Sequence, residues 1–267
     1  MKRPYWILII CTLLFSCNDK NNDKAPDTPN SKENLSGKSD YKNELFYFSY
    51  MDSVNNAPDL LVGSSLNYTN QDGTFFVSKI LSDESNRIYK LEMEKSFANK
   101  STISEYYFKN GKKIVSSKVI SHYLEEGIDY LKVISFYSDS GEVIYTGRAT
   151  SNNLDSLEST RFSSGELQNH EHNIAWSMIN QTGAFQTTFL GTAFFEEIEK
   201  DFLIVGPKDG SYKSTLAIYE DTELIKKLKS NTQRYKGTLL SIEFENITEP
   251  SGLTYQVLVN ATINNVK

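Results

Sequence analysis

From about residue 44 onward, turn signals punctuate the chain at short intervals: Gln71-Asp72-Gly73, Asn110-Gly111, Glu126-Gly127 and Asp139-Ser140-Gly141. The stretches between them are rich in Tyr, Phe, Ile and Val. Glycine and asparagine supply the left-handed backbone that tight hairpin turns need, while branched and aromatic side chains suit a pleated, half-buried surface. The run Arg87-Ile88-Tyr89-Lys90-Leu91-Glu92-Met93-Glu94 alternates apolar with charged residues, a period of two that sends one face to a core and the other to water. Residues 130–137 and 142–147 alternate in the same way. The pattern predicts an antiparallel β-meander domain over 44–150.

Residues 151–182 break this rhythm. They are rich in Ser, Asn and Glu, with Leu154, Leu157, Phe162, Leu167 and Trp176 scattered among them, and read as a connector. From 183 a new order begins, with strands expected over 184–195, 202–206, 212–219, 238–244 and 254–263 and a helix over 221–234. Asp221 or Thr222 can cap that helix, Glu223 sits in its first turn, and Leu224, Ile225 and Leu228 form its apolar stripe. Strand-strand-strand-helix-strand-strand is the order of an OB-fold.

The stretch 183–267 resembles the small OB-like domains of bacterial extracytoplasmic proteins. The resemblance rests on Gly191 in the curved first strand, on Phe202-Leu203-Ile204-Val205 followed by Asp209-Gly210, and on Tyr235-Lys236-Gly237 before strand four. It implies a five-stranded OB-like barrel with one helix, and a ligand rim made by strands two and three and the loops after strands one and four. In this chain that rim is Glu196, Glu197, Glu199, Lys200 and Tyr212, with 247–252 beside them. The whole is expected to be mainly β, a meander domain followed by the barrel. Fold alone names no function.

Two hairpins look alike: residues 106–114 and 135–144 both place aromatics before the turn, then Gly, a charge and β-branched residues. They resemble the hairpins of YwqK-like and MORN-type repeat proteins, although convergent turn chemistry produces the same likeness and two copies fall short of a repeat array.

The N-terminus carries Lys2 and Arg3, an apolar run from Tyr5 to Phe15, and then Leu14-Phe15-Ser16-Cys17. The run is too short for a permanent membrane helix. The four residues resemble the lipobox of bacterial lipoproteins, which implies a signal peptide over 1–16, cleavage before Cys17, and a lipid anchor on Cys17 with palmitate among its acyl chains. Residues 17–43 are Asn, Asp, Lys, Ser and Pro almost throughout, the composition of a disordered tether reaching about 25–30 Å from the lipid. The address implied is the outer membrane, facing the periplasm or the cell surface. Asn18-Asp19-Lys20 resembles a surface-sorting signal, and Asp52-Ser53-Val54 and Asp155-Ser156-Leu157 resemble an O-glycosylation signal at Ser53 and Ser156.

The chain has 28 Lys and Arg against 34 Asp and Glu, a net charge of −6, and loss of Lys2 and Arg3 makes it more acidic. An acidic balance spread along the chain opposes nucleic-acid binding, which needs a cationic face. Of two cysteines, Cys11 leaves with the leader and Cys17 is modified, so disulfides, CxxC redox chemistry and thiolate metal sites are excluded and no cofactor is implied.

In an extended segment, the alternation in His170-Glu171-His172 would let both imidazoles hold one metal. A third ligand would have to be Glu171 or Glu166, and Asn169 and Asn173 give the segment the look of a polar connector. Glu196, Glu197, Glu199 and Asp201 offer carboxylates for glycoside hydrolysis or form a solvated loop. The stretch 206–215 has its lysine too far from the second glycine for a phosphate loop, and no Gly-x-Ser-x-Gly elbow or His-Glu-x-x-His helix appears. Tyr47, Tyr50, Tyr106, Tyr107 and Tyr137 suit either a stacking surface or strand propensity.

The expected function is that of a non-catalytic binding module for an envelope protein or glycan. The alternatives are a metal-assisted or carboxylate-based hydrolase of envelope glycans using His170 and His172, a toxin-neutralising immunity lipoprotein, or a structural spacer.

Overall fold

The computed structural model describes residues 41–264 except Glu197. The leader, Cys17 and the tether as far as residue 40 lie outside the described residues. The protein is mainly β, as the alternation predicts, but it opens with a helix, α1 (Tyr41–Asn55). Tyr47, Met51 and Val54 recur at helical spacing, and with Phe48 they form the stripe that packs on the sheet.

The meander then follows as β1 (Leu61–Ser64), β2 (Tyr68–Asn70), β3 (Phe75–Ser82), β4 (Ile88–Phe97), β5 (Lys100–Lys109), β6 (Lys112–Leu124), β7 (Gly127–Tyr137) and β8 (Val143–Ser151). The connector holds α2 (Leu154–Ser159), a two-residue β9 (Ser163–Ser164) and α3 (Asn173–Ile179), followed by a short 3-10 turn over Gly183–Phe185. The second half contains β10 (Thr188–Phe195), β11 (Lys200–Gly206), β12 (Tyr212–Ile218), α4 (Glu223–Ser230), α5 (Thr232–Tyr235), β13 (Leu240–Thr248) and β14 (Thr254–Ile263).

Register sorts the meander's side chains onto two faces. Lys90, Tyr107, Val115, Phe136 and Tyr145 lie in one cross-strand row, and Leu91, Tyr106, Ser116, Ser135 and Thr146 in the neighbouring row on the opposite face. α1 covers the first face, where the Tyr47 ring stacks on Phe136 at 4.3 Å. α3 covers the second, with Ala175 against Leu91 and Tyr106. Lys90, only 7% exposed, is the charged exception. Glu105 at 2.5 Å and Glu92 at 3.3 Å neutralise it, and it donates to Asn55 Oδ1 at the end of α1 at 3.2 Å. A buried ammonium persists only when paired this fully, and here the pairing also fixes where the helix ends.

In the second half β10, β11 and β12 pair in sequence, β14 runs parallel to β12, and β13 pairs antiparallel with β14. The free sides of β13 and β10 touch at a single bridge, Thr188 to Leu239, flanked by Leu240 N–H donating to Thr187 O at 2.8 Å. The single helix expected over 221–234 is two. Thr222 caps α4 through Ile225 N–H, Ile225 and Leu228 are buried, and the backbone turns at Asn231, whose side chain caps α5.

The expected boundary at 151–182 falls inside one compact unit that runs from Asp40 onward. β2 pairs with β12, placing both halves in one open sheet of fourteen strands. Leu66, Tyr68 and Phe76 of the first half lie in the same core as Phe189, Leu203, Leu216 and Leu228 of the second. Tyr68 donates its hydroxyl to Phe185 O at 2.9 Å, and its burial pushes that hydroxyl's pKa well up. Gln256, 2% exposed, accepts from Asn67 N–H at 2.7 Å and donates to Ser65 O and Asn246 Oδ1, both at 3.1 Å.

Gln256→Ala would strand Asn67 N–H and Ser65 C=O in the seam and is expected to cost about 3 kcal/mol, since unpaired buried polar groups are expensive. Urea unfolding of the chain from Cys17 on should show this as one earlier transition. Far-UV dichroism and Trp176 fluorescence should still coincide; separate transitions would mean that the halves unfold independently.

Candidate functional site

The two look-alike hairpins, β5–β6 and β7–β8, lie side by side through the β6–β7 pairing, with their turns at the same end of the sheet. Each carries a bulge at its aromatic pair, between Tyr107 and Phe108 in one and between Phe136 and Tyr137 in the other. Asn110 (φ 52°) and Gly111 (φ 74°) make the first turn in the left-handed region, where asparagine and glycine cost least. α1 crosses beside these tips.

Between helix and turns lies an open groove of about 670 Å³, lined by Phe46, Tyr47, Lys109, Asn110, Lys112, Ile114, Tyr137 and Asp139. Its size suits a small organic ligand. Hydrogen bonds from helix to hairpins hold its walls: Tyr47 donates to Tyr137 O at 3.2 Å, and Tyr50 to Phe108 O at 2.5 Å. Lys112 donates to Asp139 O at 2.9 Å, tying the two turns together. The Lys109 ammonium stands 4.7 Å from the Phe46 ring centre and 5.8 Å from that of Tyr50. Phe46 is 46% exposed.

Neither lysine is ion-paired to a carboxylate among the described residues. Burial, and then the charge of Asp139, raise the pKa of the Tyr47 hydroxyl and keep it a neutral donor. The groove thus offers aromatic faces, an amide, two ammonium groups and one carboxylate. It can stack on a ring and neutralise an anion.

Of the aromatics that the sequence marks as a possible stacking surface, Tyr47 stands in the groove wall, whereas the Tyr137 ring is 1% exposed and its hydroxyl accepts from His170 N–H at 3.0 Å. Phe46 is not among those aromatics, because its place depends on α1. Tyr50 is spent on the hairpin backbone, Tyr106 on Glu171 O at 2.7 Å, and Tyr107 on Asn55 Oδ1 at 3.1 Å.

His170 and His172 belong to a strap that crosses the second face of the sheet. Gln168 N–H donates to Thr146 Oγ1 at 3.0 Å, His170 N–H to Tyr137 Oη at 3.0 Å, and Lys113 Nζ to His170 O at 2.6 Å. The His172 ring lies against Tyr106 and Phe108. Both imidazoles are half-buried, and their Nδ1 atoms are buried without a hydrogen-bond partner among the described residues. Burial lowers the pKa of both, and the nearby ammonium groups lower it further, those of Lys118 and Lys113 for His170 and that of Lys113 for His172. The strap thus lies beside two lysine ammonium groups, and no three His, Cys, Asp or Glu among the described residues form a group able to hold a metal.

The rim expected on the second half is brought together only in part. Lys200 lies 4.2 Å from the Tyr219 ring centre, the Tyr219 and Tyr255 hydroxyls are 2.5 Å apart, and Tyr255 donates to Glu249 at 2.9 Å. Ile198 of the loop after β10 and Ile247 and Tyr255 at the adjoining ends of β13 and β14 pack on the same cluster of Phe202, Ala217 and Val257. Glu196 and Glu199 are exposed in the loop after β10, and Glu197 lies outside the described residues. Tyr212 stands apart. It opens β12 whereas the Lys200 end aligns with Ile218, a separation of about 20 Å at strand spacing. There it packs between Phe76 and Phe185 in the seam. Ser53 and Ser156 are exposed on α1 and α2.

No family model, curated protein or solved structure matches the chain.

The lowered histidine pKa values have a signed consequence. The neutral form is favoured in the fold, so stability from this source is complete above pH 6.5 and is lost as pH falls through the depressed folded values, where the unfolded chain binds more protons. Lys118→Met should raise the His170 pKa toward its ordinary value, read from the imidazole C–H shift in an NMR titration. An unchanged titration would remove the lysine from its surroundings.

Proposed function

We propose that this protein is a lipid-anchored outer-membrane module that binds an acidic envelope glycan in the groove between α1 and the two hairpin turns, and performs no chemistry on it. The observation that carries the reading is the local reversal of charge. On a chain of net charge −6 this groove sets two lysines, without carboxylate partners among the described residues, against one aspartate, beside aromatic faces. Sugar rings stack on such faces, and a uronate or phosphate substituent would meet the ammonium groups. The lipobox at 14–17 supplies the anchor on Cys17 and the tether its reach; an envelope polymer is the ligand such a placement would meet first. The histidine strap, lying beside two lysines, lends the hydrolase alternative no support.

Two measurements test this reading. Phe46→Ala and Lys109→Ala should each weaken binding to purified acidic envelope polysaccharide about tenfold, the equivalent of roughly 1.4 kcal/mol for a lost stacking or ammonium contact. Calorimetry on the chain from Cys17 on would read the loss, and equal binding by both variants would overturn the site. Cys17→Ala should move the protein from the membrane fraction to the soluble one; retention in the membrane fraction would remove the lipid anchor.

A further inference from the structure

β14 pairs with β13 along its whole length but meets β12 at one position, Ala217 to Val257. The divergence has a local cause: β12 ends at Ile218, and Tyr219 and Glu220 lead away to the Thr222 cap of α4. Beyond Val257 the second edge of β14 therefore faces an open groove of about 350 Å³. Tyr219 and Glu220 form its far wall, and Ile247, Val259 and Glu245 lie on the strand side.

Residues 258–261 have no strand partner on this edge among the described residues, leaving about 13 Å of backbone with outward N–H and C=O groups. Proteins usually blunt such an edge with lysine or proline, yet Leu258-Val259-Asn260-Ala261 holds neither, and Val259 is 56% exposed. The charges in the walls are all of one sign. Glu220 and Glu245 are the carboxylates, and among the described residues no lysine or arginine lines the groove.

We infer that this edge takes an extended, lysine- or arginine-bearing segment of a partner protein by strand addition. The free backbone would provide the ladder, Ile247 and Val259 a seat for an aliphatic side chain, and the two glutamates the preference for a basic one. The inference stands apart from the glycan groove, which is built from other elements.

The test uses the full-length chain in detergent micelles and a capped octapeptide alternating Val and Lys, with an octapeptide alternating Val and Glu as the counter-probe. Hydrogen exchange read by mass spectrometry should slow over 254–263 with the Val-Lys peptide and stay unchanged with the Val-Glu peptide. Glu220→Gln combined with Glu245→Gln, both on exposed side chains, should weaken the Val-Lys peptide about fivefold, an effect that salt screens. Methylating the peptide's backbone nitrogens should abolish binding, because a ladder needs them. Equal protection by both peptides, protection confined to other strands, or undiminished binding of the methylated peptide would each overturn the inference.

Discussion

The seating of residues 64–76 in the core of the second half is the constraint on which the rest of the fold depends. The paired backbone at the junction is slight, two residue pairs between β2 and β12. The weight lies in side chains: Leu66 and Tyr68 are fully buried, and Gln256 accepts from Asn67 N–H and donates to Ser65 O of the segment that bears them, its remaining bond going to Asn246. A buried amide without partners would be a liability, so the satisfied Gln256 fixes register as well as position. With this seam in place a meander and a set of five strands become one sheet.

The other junction is that of α1 with the meander. An aromatic stripe gives the helix affinity for the sheet face, but aromatic faces slide easily. The Lys90 network, which ends on Asn55, and the two tyrosine hydroxyls that reach hairpin carbonyls set the helix at one height. Because the hairpins share the same bulge, their turns project side by side, and the helix fixed at that height closes a groove over them. Groove and core thus depend on the same few polar contacts.

Much of this was legible. β14 begins and ends at the residues that the alternation marks, and β4, β7 and β8 hold the runs that read as half-buried strands. Where reading failed, tertiary contact outweighed local pattern. The strand expected from 184 starts at Thr188 because Phe185 turns into the core, offering its carbonyl to Tyr68. α1 is hidden in the sequence because Tyr47 and Phe48, residue types that favour strands, carry half of its stripe. The groove is hidden with it, since Phe46 gains meaning only on the helix. Tyr212 looked like a rim residue by its place in strand three, but the seam claims it, and nothing near Leu66 or Tyr68 in sequence announces a partner in the second half.

The bond between Asn67 and Gln256 joins residues 189 positions apart, and this separation bears on how the chain comes to be folded. Contacts so distant must wait for the last strand, because loop closure has to be met before they give anything back. A chain emerging from its N-terminus would hold Leu66 and Tyr68 without their core until the second half followed, and Asn67 without its acceptor until β14 had arrived. The seam therefore closes last, and only in a chain whose full length is free to fold.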